Sequence, residues 1–327
     1  MAKQFQVCGI GNALVDIFVS VSDAELAAFG CEKATMRLVE AEEQNALLNA
    51  LEGRAPKLAS GGSVANSIIA FAQLGGKAAF TGCTGNDSYG AFYRNEFSSL
   101  GIDFKGGSVA VPTGTSVVLI TPDAERTMRT ALGAAARLEP THVNEAQIAA
   151  SEWLFIEGYL FANPDYGQKA IQTAVSYAKK HGTKIAVTCS EAFVVEFFGG
   201  PLNEALEHAD LIFANGSEAQ ALSKTTSAEE AFSALKERFC SVVVTASDKG
   251  AYISHGGKSV HVPAVTCSPI DLTGAGDMYA GSFLYGITQA LPVERVGHAS
   301  SSLCSKVITQ VGARLHDGTR SLWEAAI

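Results

Sequence analysis

Apolar positions along the chain follow two rhythms. In the middle, short continuous apolar runs alternate with stretches of helical period. Trp153-Leu154-Phe155-Ile156 reads as a buried strand, and a helix is predicted from about Asp165 to Lys180. Lys184 to Thr188 is the next strand and Asp210 to Ala214 another, and a helix from about Ala228 to Phe239 leads to a strand at Val242 to Thr245. Strands without polar alternation need cover on both faces, so the pattern predicts an α/β fold with a mostly parallel, doubly wound sheet. Ligands of such sheets sit beyond the carboxyl ends of the strands. Residues about 12–38 and 101–130 break this rhythm with short alternating runs, such as Thr115 to Thr121. Pro122-Asp123-Ala124-Glu125-Arg126-Thr127 then reads as a hairpin turn and return strand.

A further helix, Met278 to Ala290, follows Asp271-Leu272-Thr273-Gly274-Ala275-Gly276-Asp277. A glycine turn opening a helix leaves several backbone N–H groups unpaired and converging, with the helix dipole behind them, so it attracts an anion. A carboxylate there repels the phosphate that the amides attract. Its presence makes sense if Asp277 takes a proton from a hydroxyl while the amides hold the phosphoryl group which that hydroxyl attacks. The plainer alternative is a turn in which Asp277 only favours the helix electrostatically.

Upstream, Gly61-Gly62-Ser63-Val64-Ala65-Asn66-Ser67 precedes Ile68, Ile69, Phe71 and Leu74, whose spacing predicts an amphipathic helix. Paired glycines allow close approach to the backbone. Asn66, on the first helical turn, both donates and accepts toward a polyol; the plainer alternative is a helix N-terminus capped by Ser63. Near the N-terminus, Val7-Cys8-Gly9-Ile10-Gly11-Asn12 leads into Leu14-Val15-Asp16-Ile17. A dinucleotide fingerprint needs a third glycine where Leu14 stands, and a helix where a strand from Leu14 to Val21 is predicted, which disfavours a Rossmann-type dehydrogenase. Asp16 can accept two hydroxyls of a cis-diol, or be a strand-edge charge facing water. Gly257-Lys258-Ser259 is no P-loop, because Tyr252 replaces the required glycine.

Together these segments resemble the two signatures of the ribokinase-like, or PfkB, family of carbohydrate and nucleoside kinases. Thr84-Gly85-Asn86-Asp87-Ser88-Tyr89-Gly90 resembles the Gly-x-Asp-x-x-Gly turn of the first signature, and Leu272 departs from the second where many members have a small polar residue. The resemblance implies a single ribokinase-like kinase domain over 1–327, a three-layer α/β/α fold with a small β lid inserted from about 12–38 and 101–130. It implies that the amides of Gly274, Ala275 and Gly276 form an anion hole and that Asp277 is the catalytic base. Asn12, Asp16, Gly61, Gly62 and Asn66 match the sugar-binding positions. Asn215 and Glu218, in Asp210 to Glu218, match a segment that positions Mg²⁺ and phosphate, partly through water, as suits an oxygen-seeking ion; the same two residues also form a capping-box pattern. Thr245, Ser247 and Gly250 would line the ATP cleft. Asp271 and Thr273 sit where many relatives bind a monovalent cation such as K⁺. Arg126 and Arg129 would close over the phosphoryl donor or the substrate, or else be solvated charges on an exposed hairpin.

Composition narrows the class. The chain has 327 residues, 47% of them hydrophobic, enough for one large core, and a net charge of −9 with no basic stripe for nucleic acid. No apolar run of membrane-spanning length and no leader pattern are visible. Its seven cysteines are scattered and read as reduced thiols of a cytoplasmic protein, with Cys8, Cys189 and Cys240 in or beside core strands. No zinc pattern appears among the histidines.

The expected reaction is ATP- and Mg²⁺-dependent phosphorylation of a small-molecule sugar or nucleoside, by a monomer or homodimer. Gly11 to Asp16 and Arg126 to Ala134 look most like the adenosine-kinase-like branch. A nucleoside needs a wall for its base, for which Phe18, Met36, Phe161 and Phe193 are candidates. The alternatives are a free-sugar kinase of ribokinase or fructokinase type, and a non-catalytic ligand-binding member of the family.

Overall fold

The computed structural model describes residues 3–123 and 125–327. Ala124, within the expected hairpin turn, lies outside the described residues. The strands and helices expected in the middle of the chain form close to their predicted bounds, as Ser151–Glu157, Gly167–His181, Lys184–Thr188, Leu211–Asn215, Ala228–Arg238 and Val242–Thr245.

Nine strands build the large sheet, in the order Lys258–Val262, Ala251–His255, Val242–Thr245, Leu211–Asn215, Lys184–Thr188, Ser151–Glu157, Phe5–Ile10, Ala78–Gly85, Asp103–Val109. From Val242–Thr245 to Asp103–Val109 all pairings are parallel, and only the edge formed by the last two hairpin strands is antiparallel. Alternate residues of each strand enter two separate cores. Val7, Phe155 and Val243 pack with Phe71, Phe283 and Leu303 on one face. Cys8, Leu154, Ile156 and Val244 pack with Ile171, Leu202 and Leu235 on the other. This is the three-layer α/β/α arrangement that the uninterrupted apolar strands predicted.

A second sheet of five strands has the order Met36–Leu38, Arg126–Ala131, Gly114–Ile120, Leu14–Ser20, Lys57–Gly61. Val15, Ile17, Val117 and Leu119 face its buried side, against Leu47 and Leu51. The period of two therefore turns Leu14 and Asp16 to the opposite side. Two points differ from the sequence reading. Asp103–Val109, counted with the lid, pairs with Ala78–Gly85 as the edge of the large sheet. Lys57–Gly61, not read as a strand, pairs antiparallel with Leu14–Ser20. Cys8 lies in a core strand and Cys189 and Cys240 beside one, as expected; Cys8 and Cys189 are buried and Cys240 is exposed. Among the described residues no helix is long and apolar enough to cross a membrane.

Candidate active site

The carboxyl ends of the central parallel strands open into a cavity of about 670 Å³, whose far wall is the small sheet. Asn12, Asp16, Asn66, Glu157, Glu218 and Asp277 all line it. Chain reversals at the strand ends explain the convergence: Asn12 follows Phe5–Ile10, Glu157 ends its own strand, and Glu218 lies one turn after Leu211–Asn215.

Asp277 sits in the first turn of the helix Ala275–Thr288, whose N-cap is Gly274. Ser63 Oγ donates to its Oδ1 at 2.7 Å and Asn66 Nδ2 donates to its Oδ2 at 3.0 Å. Removal from water pushes the Asp277 carboxyl up to about 6, against the pull of these two hydrogen bonds. The first-turn N–H groups of Gly276 and Asp277 have no acceptor within the helix, while the Ala275 N–H reaches the Leu272 carbonyl at 3.3 Å. Gly274 and Gly276 line the cavity.

Gly62, at φ +109°, opens the facing helix Ser63–Gln73. A side chain at Gly62 would place its Cβ 2.0 Å from the Asn12 carbonyl oxygen, so only glycine lets these two segments meet. The alternative in which Ser63 caps this helix is not realised: Gly62 is the N-cap and no side chain caps it. The Asn66 amide donates to Asp277, and its Oδ1 is buried without a partner, an acceptor left for a hydroxyl donor. Gly61 ends its strand against the Asp16 carboxylate, leaving no room for a side chain. Burial pushes Asp16 up to about 6, with the charges of Arg314 and Arg126 opposing and that of Asp277 adding.

Glu157 was missed by the sequence reading. Its carboxylate accepts from Asn12 Nδ2 at 2.6 Å, Asn12 N at 3.3 Å and Val64 N at 3.1 Å. It thereby ties the end of the first strand to the start of the Ser63 helix. Burial pushes it up to about 7 despite these donors. The available signal was a single acidic residue closing an otherwise apolar strand, Trp153-Leu154-Phe155-Ile156-Glu157.

Asn215 and Glu218 form the full capping box. Asn215 Oδ1 accepts from the Glu218 N–H at 2.9 Å, and the Glu218 carboxylate accepts from Asn215 N at 2.9 Å and Nδ2 at 2.6 Å. The cap holds the carboxylate at the cavity rim, where burial raises it to about 7 and the charges of Glu191 and Asp277 add to the shift. Thr245 lines the cavity at the next strand end. Ser247 and Gly250 lie beyond it, in the short helical turn leading to Ala251–His255.

The two arginines separate. Arg129 is 3% exposed, and its guanidinium donates to the Thr35 carbonyl and hydroxyl and to the Met128 carbonyl. It is neither solvated nor turned to the cavity, because it stitches the edge of the small sheet. The Arg126 side chain is 8% exposed; its Nη1 lies 2.6 Å from Asp271 Oδ2, and its Nε and Nη2 have no partner. Asp271 further accepts from Thr273 N at 3.0 Å and Gly312 N at 2.9 Å. The carboxylate expected to help hold a monovalent cation is thus paired with a guanidinium. Thr273 lines the cavity.

Of the four candidate walls for a base, Met36 and Phe193 line the cavity. Phe18 instead lies beside the Arg126 guanidinium, 5.6 Å from its ring centroid, and Phe161 is buried in the core. Leu38, not anticipated, stands with Met36 on the same wall, and the two are 57% and 56% exposed.

A family model described as "pfkB family carbohydrate kinase" matches residues 25–319. The chain is 30% identical to a ribokinase of Haemophilus influenzae over 284 residues, covering 83% of this chain and 88% of that one. An adenosine kinase of Saccharomyces cerevisiae is 27% identical over 327 residues, 93% of this chain and 94% of its own. The crystal structure of adenosine kinase from Sinorhizobium meliloti superposes with a TM-score of 0.87 at 33% identity, covering 99% of this chain and 100% of that one. The chain belongs to the pfkB family of carbohydrate kinases, phosphotransferases that act on the alcohol groups of sugars and nucleosides.

Proposed function

We propose that this kinase transfers the γ-phosphoryl group of ATP to the ribose primary hydroxyl of a nucleoside. The observation that carries the reading is Asp277: a carboxylate held at a helix N-terminus, in one cavity with Asn12, Asp16 and the unpartnered Asn66 carbonyl. Asp16, Asn12 and Asn66 hold the sugar hydroxyls, with the Gly62 backbone close beneath the ring. Asp277 accepts the proton of the attacking hydroxyl as the bond to phosphorus forms, and the leaving ADP carries away the other electron pair. The amides opening the Ala275 helix take up charge on the phosphoryl oxygens. Positioning and electrostatics supply most of the rate in such a transfer.

Among the described residues no cluster of three metal-ligating side chains occurs, which suits Mg²⁺, an ion that binds through phosphates and retained waters. Glu218 would orient it through water, and its raised carboxyl beside that of Asp277 favours a cation arriving with the nucleotide. When bound, Mg²⁺ supplies charge neutralisation on the phosphates. Thr245 and Asn215 line the donor end of the cavity. The small sheet acts as a lid that keeps water from the transferring group, with Arg126 as its arginine beside the anion-binding turn.

A free-sugar kinase is the second reading, supported by the 30% identity to a ribokinase. The apolar wall of Met36, Leu38 and Phe193 favours the nucleoside, because a bare furanose has nothing to place against it. Coupled ADP release with Mg·ATP against adenosine, inosine, guanosine, cytidine, ribose and fructose tests both. Turnover with a nucleoside and little with free sugars is expected; turnover confined to a free sugar selects the second reading, and no ADP with any acceptor contradicts both.

A further inference from the structure

Ser63 has a hydroxyl that its helix does not use. Gly62 caps that helix, and the Ser63 side chain makes no cap hydrogen bond. Its Oγ instead reaches Asp277 Oδ1 at 2.7 Å, while Asn66, one turn on, reaches Oδ2 at 3.0 Å. Residues three apart lie on one helical face, so a single face of the Ser63 helix grips both oxygens of the carboxylate. The grip depends on close packing of two helices. A Cβ at Gly281, one turn after Asp277, would lie 2.2 Å from the Ser67 carbonyl oxygen, so a larger residue there would push the Ala275 helix away.

We propose that Ser63 is a positioning residue for the phosphoryl transfer, fixing the plane of the Asp277 carboxylate and keeping it charged. The proposal rests on the reading of Asp277 as the base. A carboxylate oxygen accepts more than one donor, so each oxygen keeps room for the substrate hydroxyl after Ser63 and Asn66 have bound. With one donor removed, the carboxylate turns about its Cβ–Cγ bond and its neutral form gains. Asp277 also faces the carboxyls of Asp16 on the small sheet, Glu157 and Glu218, the Tyr159 hydroxyl, and the Cys304 thiol on the helix Val293–Val307. These groups are the same with and without the Ser63 hydroxyl, so a change in titration on removing it reports on Ser63.

The test compares kcat and KM from pH 5 to 9 for the wild type, Ser63→Ala, Ser63→Thr and Asp277→Asn. Ser63→Ala is expected to lower kcat with little change in acceptor KM and to move the acid limb upward by about one pH unit; Ser63→Thr, which keeps the hydroxyl, restores both. An unchanged limb, or an effect on KM alone, overturns the proposal while Asp277→Asn still abolishes turnover. Full turnover by Asp277→Asn removes the base assignment itself. Carbon-13 NMR titration of the Asp277 carboxyl in substrate-free protein reads the same shift without catalysis, and no difference between wild type and Ser63→Ala there also overturns it. Ser63→Cys, a weaker donor of similar size, must shift both readouts in the same direction.

Discussion

Arg126 Nη1 lies 2.6 Å from Asp271 Oδ2, and the two side chains are only 8% and 6% exposed. Arg126 begins a strand of the small sheet, and Asp271 begins the turn that opens the Ala275 helix. The pair therefore joins the small sheet to the glycine turn before the Ala275 helix. Removing one partner of a buried pair leaves the other charge uncompensated, at a cost of about 3–5 kcal/mol. Arg126→Met is expected to lower the melting temperature by several degrees and to become measurably more stable when K⁺ is added. The wild type, with its own cation in place, is expected to melt and turn over alike in K⁺ and Na⁺ buffers. Thermal melts in the two salts check both statements, and strong K⁺ activation of the wild type contradicts the second.

The Asp277 carboxyl stands at about 6, raised by burial. A general base works in its charged form, so kcat is expected to hold above this value and to fall as the pH drops through it. Asp277→Asn removes the proton acceptor without changing the volume. It should fold and bind ATP normally while kcat drops about 10²- to 10⁴-fold, the usual contribution of a positioned acid or base. Steady-state rates, with ATP binding followed by calorimetry, separate these effects.

Glu157 accepts three N–H donors and donates none. Glu157→Gln turns one of its oxygens into a donor facing another donor, and a buried polar group left unpaired costs about 1–3 kcal/mol. Either Asn12 or the start of the Ser63 helix then loses its anchor. The expected result is an acceptor KM raised about tenfold or more, corresponding to about 1.4 kcal/mol, with the ATP KM little changed. Equal effects on both substrates would place Glu157 outside the sugar grip.

The parts of this fold that were legible in the sequence are those whose burial is nearly uniform. Strands such as Val242–Thr245 are buried on both faces, so an apolar run marks them directly. The glycine turn that opens the Ala275 helix was legible because Gly274, Gly276 and Asp277 are nearly contiguous. Pairing between distant segments was not. Lys57–Gly61, reading Lys-Leu-Ala-Ser-Gly, has little strand character of its own and becomes a strand because Leu14–Ser20 offers it an edge. Asp103–Val109 alternates like a lid strand but is taken by Ala78–Gly85. Ser63 and Glu157 have the same explanation: each acts on a partner more than ninety positions away, Asp277 at a separation of 214 residues and Asn12 at 145. The sequence left Arg126 open between a lid residue and a solvated charge because its counter-charge, Asp271, lies 145 positions further along the chain.

Met36 and Leu38 belong to the edge strand of the small sheet, and both line the cavity while remaining more than half exposed. Apolar side chains left open inside a cavity favour a ligand with a flat apolar face, which a nucleobase has and a free sugar lacks. Covering a methionine side chain is worth about 1.5–3 kcal/mol, so replacing part of that contact by a charge should be felt in binding. Met36→Asp is expected to raise the nucleoside KM about tenfold or more. Any activity toward free ribose should change little, because Asn12, Asp16 and Asn66, the residues proposed to hold the sugar, lie on other elements. The ratio of the two KM effects is the informative quantity. A parallel rise for both would mean that the variant had displaced the whole lid, and a check of its melting temperature against the wild type would show this. A rise for the nucleoside alone would place the base against the edge strand of the lid.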